Sequence, residues 1–189
     1  MKTYIENEFK HISFCFEKLQ FLSEKISDVA LLCITALENG NKIIWCGNGG
    51  SAAQSQHLAA ELVGRYKINR PAMNSISLTV DTSNLTAIGN DYGYDIVFSR
   101  QLEGIGKKGD ILIGLSTSGN SKNVVLAFEQ ALKMGITTVA LVGEKRGKMY
   151  DIADYALSVP SDESAHIQEM HIAIGHLLCD LIERNFYGK

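Results

Sequence analysis

The sequence predicts an α/β fold: a three-layer sandwich whose five-stranded parallel sheet is covered by helices on both faces. Two observations carry that expectation. Short apolar runs recur along the chain, each followed by a polar or glycine-rich loop and then by a helix-forming stretch of about a dozen residues. Only two prolines, Pro71 and Pro160, interrupt the 189 residues, which leaves room for the helices such crossovers need.

In chain order, residues 1 to about 39 place Ile5, Phe9, Ile12, Phe16, Leu19, Ile26, Ala30, Ile34 and Leu37 at helical spacing, with a break near Ser23. They read as two helices. Lys42 to Cys46 is a short apolar strand that runs into Gly47-Asn48-Gly49-Gly50, and Ser51 is placed to cap the helix from Ala52 to Val63. A second strand covers Ser75 to Thr79, followed by helical stretches at Leu85 to Ile88 and Tyr94 to Ile105. A glycine-bordered loop holding Asn90 and Asp91 separates the two stretches. The third strand, Asp110 to Leu115, leads through Ser116 to Ser121 into a helix from Val124 to Met134. Thr137 to Val142 and Tyr155 to Val159 supply the last strands, and a long helix begins near Ser161 or Asp162. No composition shift or repeat divides the chain, so residues 1–189 read as one unit, with ligands gathered at the strand C-terminal ends.

A net charge of −3 without a lysine-arginine block argues against nucleic acid as the main partner, since phosphate-backbone binding needs a positive surface. No run reaches the ~18 apolar residues of a membrane span, and the first residues lack the pattern of a signal peptide. The four cysteines, Cys15, Cys33, Cys46 and Cys179, form no Cys-x-x-Cys pair and lie among apolar neighbours, which fits a reducing compartment. The expected location is the cytoplasm.

Two loops carry chemistry. The glycine turn at Gly47–Gly50 opens a helix whose free amides can meet an anion. Ser116, Thr117, Ser118 and Ser121 surround Gly119, and neutral hydroxyls with convergent amides can hold a phosphate, although Ser121 is equally an ordinary helix cap. Neither loop matches a Walker A or dinucleotide fingerprint, so no nucleotide cofactor is expected. On the helix after Gly50, Gln54, His57, Glu61 and Arg65 share a face at intervals of three and four. By spacing alone, His57 and Glu61 read first as a helix-surface hydrogen bond and second as metal ligands or a base with its partner. His176 sits in an apolar stretch, as either a neutral core imidazole or a tuned proton-transfer group. Trp45 reads as sheet core, and Asn90-Asp91 as a turn or a sugar-hydroxyl contact.

Taken in order, Gly47–Ser51, His57–Arg65, Gly89-Asn90-Asp91, Ser116–Ser121 and Ile167–His171 resemble the phosphoheptose isomerases of the sugar isomerase (SIS) domain family, along essentially the whole chain. The resemblance implies a flavodoxin-like SIS fold and a cytoplasmic homotetramer, packed partly through the N-terminal helices 1–39. It also implies conversion of sedoheptulose 7-phosphate to D-glycero-D-manno-heptose 7-phosphate, toward lipopolysaccharide or capsule. Asn48, Gly49, Gly50, Ser51, Glu61, Asn90, Asp91, Ser116, Thr117, Ser118, Ser121 and Gln168 would contact substrate, with Glu61 and His176 as the acid-base pair. Some members bind zinc through residues matching His57, Glu61, Gln168 and His176. His166 stands where the family often has arginine and reads as a solvated surface residue.

One expectation is geometric. Gln168 and His176 lie eight residues apart, roughly 12 Å along a regular helix, whereas ligands of one zinc each lie ~2 Å from it. A complete site is therefore expected at a subunit interface, with the two side chains drawn from different chains. Two other readings compete: a noncatalytic SIS-domain protein-binding module, which tends to lose residues matching Glu61 and His176, and an isomerase of another sugar phosphate.

Overall fold

The computed structural model describes residues 1–188. Helix α1 (Lys2–Lys18) passes through a short 3-10 turn at Leu19–Leu22 into α2 (Ser23–Glu38), so the break falls where the apolar spacing slips. The remaining elements are β1 (Ile43–Gly47), α3 (Gly50–Val63), β2 (Ser75–Ser77), α4 (Thr82–Tyr92), α5 (Val97–Ile105) and β3 (Ile111–Ser116). They are followed by α6 (Lys122–Met134), β4 (Thr137–Val142), α7 (Gly147–Ile152), β5 (Tyr155–Ser158) and α8 (Ser164–Tyr187).

The five strands form one parallel sheet in the order β2-β1-β3-β4-β5. Its alternation sorts the core into two layers, because successive side chains on a strand point to opposite faces. Ile43 and Trp45 join Ile113, Leu141 and the apolar sides of α2, α3 and α8. Ile44 and Cys46 join Leu112, Ala140 and the apolar sides of α5 and α6. Trp45 is fully buried and its Nε1 donates to Ser75 Oγ at 3.0 Å, which ties β1 to β2 and bears out its reading as sheet core.

Four local expectations need correction. Ser51 does not cap α3: the helix starts two residues earlier than expected, at Gly50, Gly49 holds the cap position with φ +56°, and Ser51 is buried inside the first turn. Asn90 and Asp91 belong to the last turn of α4 rather than to a loop, because Asp81 caps that helix by accepting from the Asn84 amide at 2.9 Å and starts it early. The short α7 escaped the apolar pattern altogether. His166 is buried rather than solvated.

Chain order and sheet order together locate the cleft. From β1 the chain moves to β2 on one flank, then returns to β3 on the other, so the connections after β1 and β3 diverge at the β1–β3 boundary. Gly47 and Leu115, at the ends of those strands, are paired in the ladder. A parallel sheet opens a crevice at such a switch point.

Candidate active site

The loops leaving β1 and β3 are stitched together by a reciprocal amide pair. Asn48 Nδ2 donates to Asn123 Oδ1 at 2.9 Å, and Asn123 Nδ2 donates to Asn48 Oδ1 at 2.8 Å. Tyr94 adds its hydroxyl to Asn48 Oδ1 at 3.3 Å. The Asn48 side chain thus organises the crevice, and Asn123 and Tyr94 are contributors that sequence spacing did not single out. Asn123 is buried and polar in the first turn of α6, a signal visible only once its partner 75 residues away is in place.

The four hydroxyls of the β3 loop do not share one environment. Ser116 and Ser121 pair through their Oγ atoms at 2.8 Å, so Ser121 occupies the cap position of α6 without a side-chain cap bond. Ser118 Oγ accepts from the Asn120 amide at 3.1 Å, and Thr117 and Ser118 line a small cleft with Lys145, Ser161 and Asp162. Asn90 and Asp91 are exposed and bond to each other.

Helix α3 carries the other half of the site alongside α8. The contacts Gly50–Gln168, Leu58–Gly175 and His57–His176 advance together, so the two helices run side by side in the same direction. Two glycines set their spacing. A Cβ on Gly50 would lie 2.6 Å from Gln168 Oε1, and a Cβ on Gly175 would collide with the Leu58 side chain. Gln54 turns from its neighbours on α3 to donate to the Gln168 carbonyl at 2.7 Å.

That contact brings His57, Glu61 and His176 together. His57 Nε2 lies 2.9 Å from Glu61 Oε1 and 3.4 Å from His176 Nε2, and one donor atom from each of the three lies within 4.8 Å of the others. His57 and His176 meet edge to face at 5.0 Å, and Tyr66 stacks on His176 at 5.7 Å. Burial and the neighbouring His57 hold the His176 pKa below the ordinary imidazole range, against the opposing pull of Glu61. A neutral imidazole beside a carboxylate can accept or return a proton. Two imidazoles and a carboxylate at this spacing also suit zinc. Gln168 does not join them within one chain: it rests on Gly50, two helical turns toward the start of α8.

Tyr66 is held by a buried node that sequence reasoning missed. Glu183 accepts from the amides of Tyr66, Lys67 and Ile68 at 2.6–3.0 Å and from Arg70 Nε at 3.0 Å. Burial alone would raise the Glu183 carboxyl, but those donors outweigh it and hold the pKa below the usual carboxylate range. Arg70 also donates to the Glu61 carbonyl at 2.9 Å, so one ion pair fixes both the end of α3 and the segment carrying Tyr66.

The SIS-domain family model matches residues 9–143. A phosphoheptose isomerase of Akkermansia muciniphila is 61% identical over 188 residues, covering 100% of both chains. The chain belongs to the phosphoheptose isomerases. Within this enzyme family, the protein of that name from Sulfurimonas denitrificans is 56% identical over 100% of this chain and 98% of its own. The phosphoheptose isomerase structure from Neisseria gonorrhoeae superimposes with a TM-score of 0.91 at 41% identity, covering 96% of this chain and 98% of that one. Membership of the family bears out the SIS fold that the resemblance implied and favours an enzyme over the noncatalytic binding module.

Proposed function

We propose that the chain isomerises sedoheptulose 7-phosphate to D-glycero-D-manno-heptose 7-phosphate at a site built around the His57–Glu61–His176 cluster. The observation that carries this is the convergence, through the α3–α8 contact, of a carboxylate and a depressed-pKa imidazole. Aldose-ketose exchange needs that pair. Glu61, oriented by His57, takes the proton from C1 of the open ketose and returns it to C2. His176 accepts the proton leaving O1 and supplies the one gained by O2, so the net transfer balances. Ser116, Thr117, Ser118 and Ser121 hold the phosphate, with Asn48, Gly49, Gly50, Ser51, Asn90, Asp91 and Gln168 along the sugar.

Zinc fits three of the four residues suggested for it, His57, Glu61 and His176, and bound there it would polarise the sugar oxygens. Gln168 lies about 12 Å along α8 from His176, which supports a site completed by a second copy. The exposed apolar side chains Ile5, Phe9 and Phe16 on α1, and Leu177 and Leu181 beside His176 on α8, support a homotetramer in which that copy is present. No helix among the described residues is long and apolar enough to cross a membrane, consistent with a cytoplasmic site of action on a phosphorylated sugar.

The test is incubation with sedoheptulose 7-phosphate, separation of the products, and repetition after chelation and after zinc is restored. Glu61→Gln keeps the size and most hydrogen bonds of the side chain and removes its basicity. A loss of about 10²- to 10⁴-fold in kcat is expected, with the protein still folded. Turnover near the wild-type rate would end the assignment of Glu61 as the base.

A further inference from the structure

A second group of ligating side chains lies where α1 crosses the first turn of α8. Glu8, His11 and Cys15 are three and four residues apart on α1 and therefore share a face. His166 meets that face from α8, ten residues before His176. Cys15 Sγ lies 3.7 Å from His11 Nε2, the His11 and His166 rings are 4.9 Å apart, and His166 Nε2 lies 3.6 Å from Glu8 Oε2. One donor atom from each of His11, Cys15 and His166 falls within 4.8 Å of the other two.

The His166 ring is buried with few partners, and a carboxylate stands close to each of its nitrogens. Its side chain is only 4% exposed, yet its Nδ1 is buried without a hydrogen-bond partner, with Glu163 Oε2 at 3.4 Å. A buried imidazole among a thiol, a second imidazole and two carboxylates is an expensive way to fill space, because each polar atom gives up water. A metal changes that balance. Ligands about 2.0–2.3 Å from one zinc, at tetrahedral angles, stand about 3.3–3.8 Å from one another. The Cys15–His11 and His166–Glu8 separations have that spacing.

We propose that His11, Cys15 and His166 form a structural zinc site that pins α1 to α8, with Glu8, which contacts His166 alone in this arrangement, rotating in as the fourth ligand. Thiolate and imidazole donors favour zinc over calcium or magnesium, which take oxygen ligands. On binding, the Cys15 thiol loses its proton to solvent as the sulfur–zinc bond forms, with no change of oxidation state. Glu163 then accepts from His166 Nδ1 and fixes the ring with Nε2 toward the ion, the usual carboxylate support of a metal-bound histidine. The site is separate from the His57–Glu61–His176 cluster, which contains no thiol.

Cobalt distinguishes the two, because only a cysteine-ligated Co²⁺ shows the near-ultraviolet sulfur-to-cobalt charge-transfer band. Chelator-stripped protein titrated with Co²⁺ is expected to develop that band. Cys15→Ser should lose it and His176→Ala should keep it. His11→Asn changes an exposed side chain and so leaves folding intact; it should bind one equivalent less zinc per chain and lose the zinc-dependent rise in Tm. A band absent from the wild type, or one that survives both Cys15→Ser and His11→Asn, overturns the proposal. Failure of isomerisation with the band intact would instead count against the catalytic reading alone.

Discussion

His171 shows how much one buried residue reports about pH. It lies wholly inside the protein, its two ring nitrogens lack partners at hydrogen-bond geometry, and burial pushes its pKa down to about 4, only slightly opposed by the nearby Val142 carbonyl. In the unfolded chain the same ring titrates near pH 6.5. Between those values the unfolded state binds the extra proton, so stability falls as pH drops through that window and is unaffected above it. The accumulated loss by pH 4 is on the order of 3 kcal/mol. Urea denaturation at pH 7 and pH 5 should show that decline in the wild type, and His171→Leu should flatten it. An equal decline in both proteins would place the titrating group elsewhere.

At the scale of elements, the α3–α8 contact decides whether the site exists. Gly175 lets α8 approach α3 closely enough for His176 to reach His57, since any Cβ there runs into Leu58. Gly175→Val should therefore separate the helices and reduce kcat by at least tenfold. Overpacking of this kind also costs typically 1–3 kcal/mol, measurable by denaturation. Leu58→Ala in the same background makes room for the new side chain and should recover part of the activity.

The strands and most helices were legible because burial on both faces demands continuous apolar runs, as in Ile111–Leu115 and Thr137–Val142. Helix α7 was not, because six residues are too few to show a period and it begins behind Arg146 at φ +64°. In the site, the His57–Glu61 pair could be seen from its i,i+4 spacing. Its partners could not: Tyr66 and Arg70 gain their roles through Glu183, more than 110 residues onward, and nothing local marks that contact.

For the whole molecule, the exposed leucines on α8 bear directly on assembly. Leu177 and Leu181 are one turn apart on α8, the helix that carries His176, so a proposed subunit contact formed there would lie beside the cluster. Replacing both with Asp should leave a folded chain, lower the mass measured by light scattering from that of the proposed tetramer, and abolish isomerisation. A tetramer that persists with full activity would remove these side chains from the interface.

The cysteines give this architecture an unplanned readout. Cys33 belongs to the layer beneath α2 and α8, and Cys46 to the layer beneath α5 and α6; both are sealed from solvent, and burial raises their pKa to about 12. A thiol-specific alkylating reagent can therefore mark either one only after its own side of the sheet has opened. Timed labelling followed by peptide mass analysis would reveal whether the two sides of the sandwich come apart in concert or one ahead of the other.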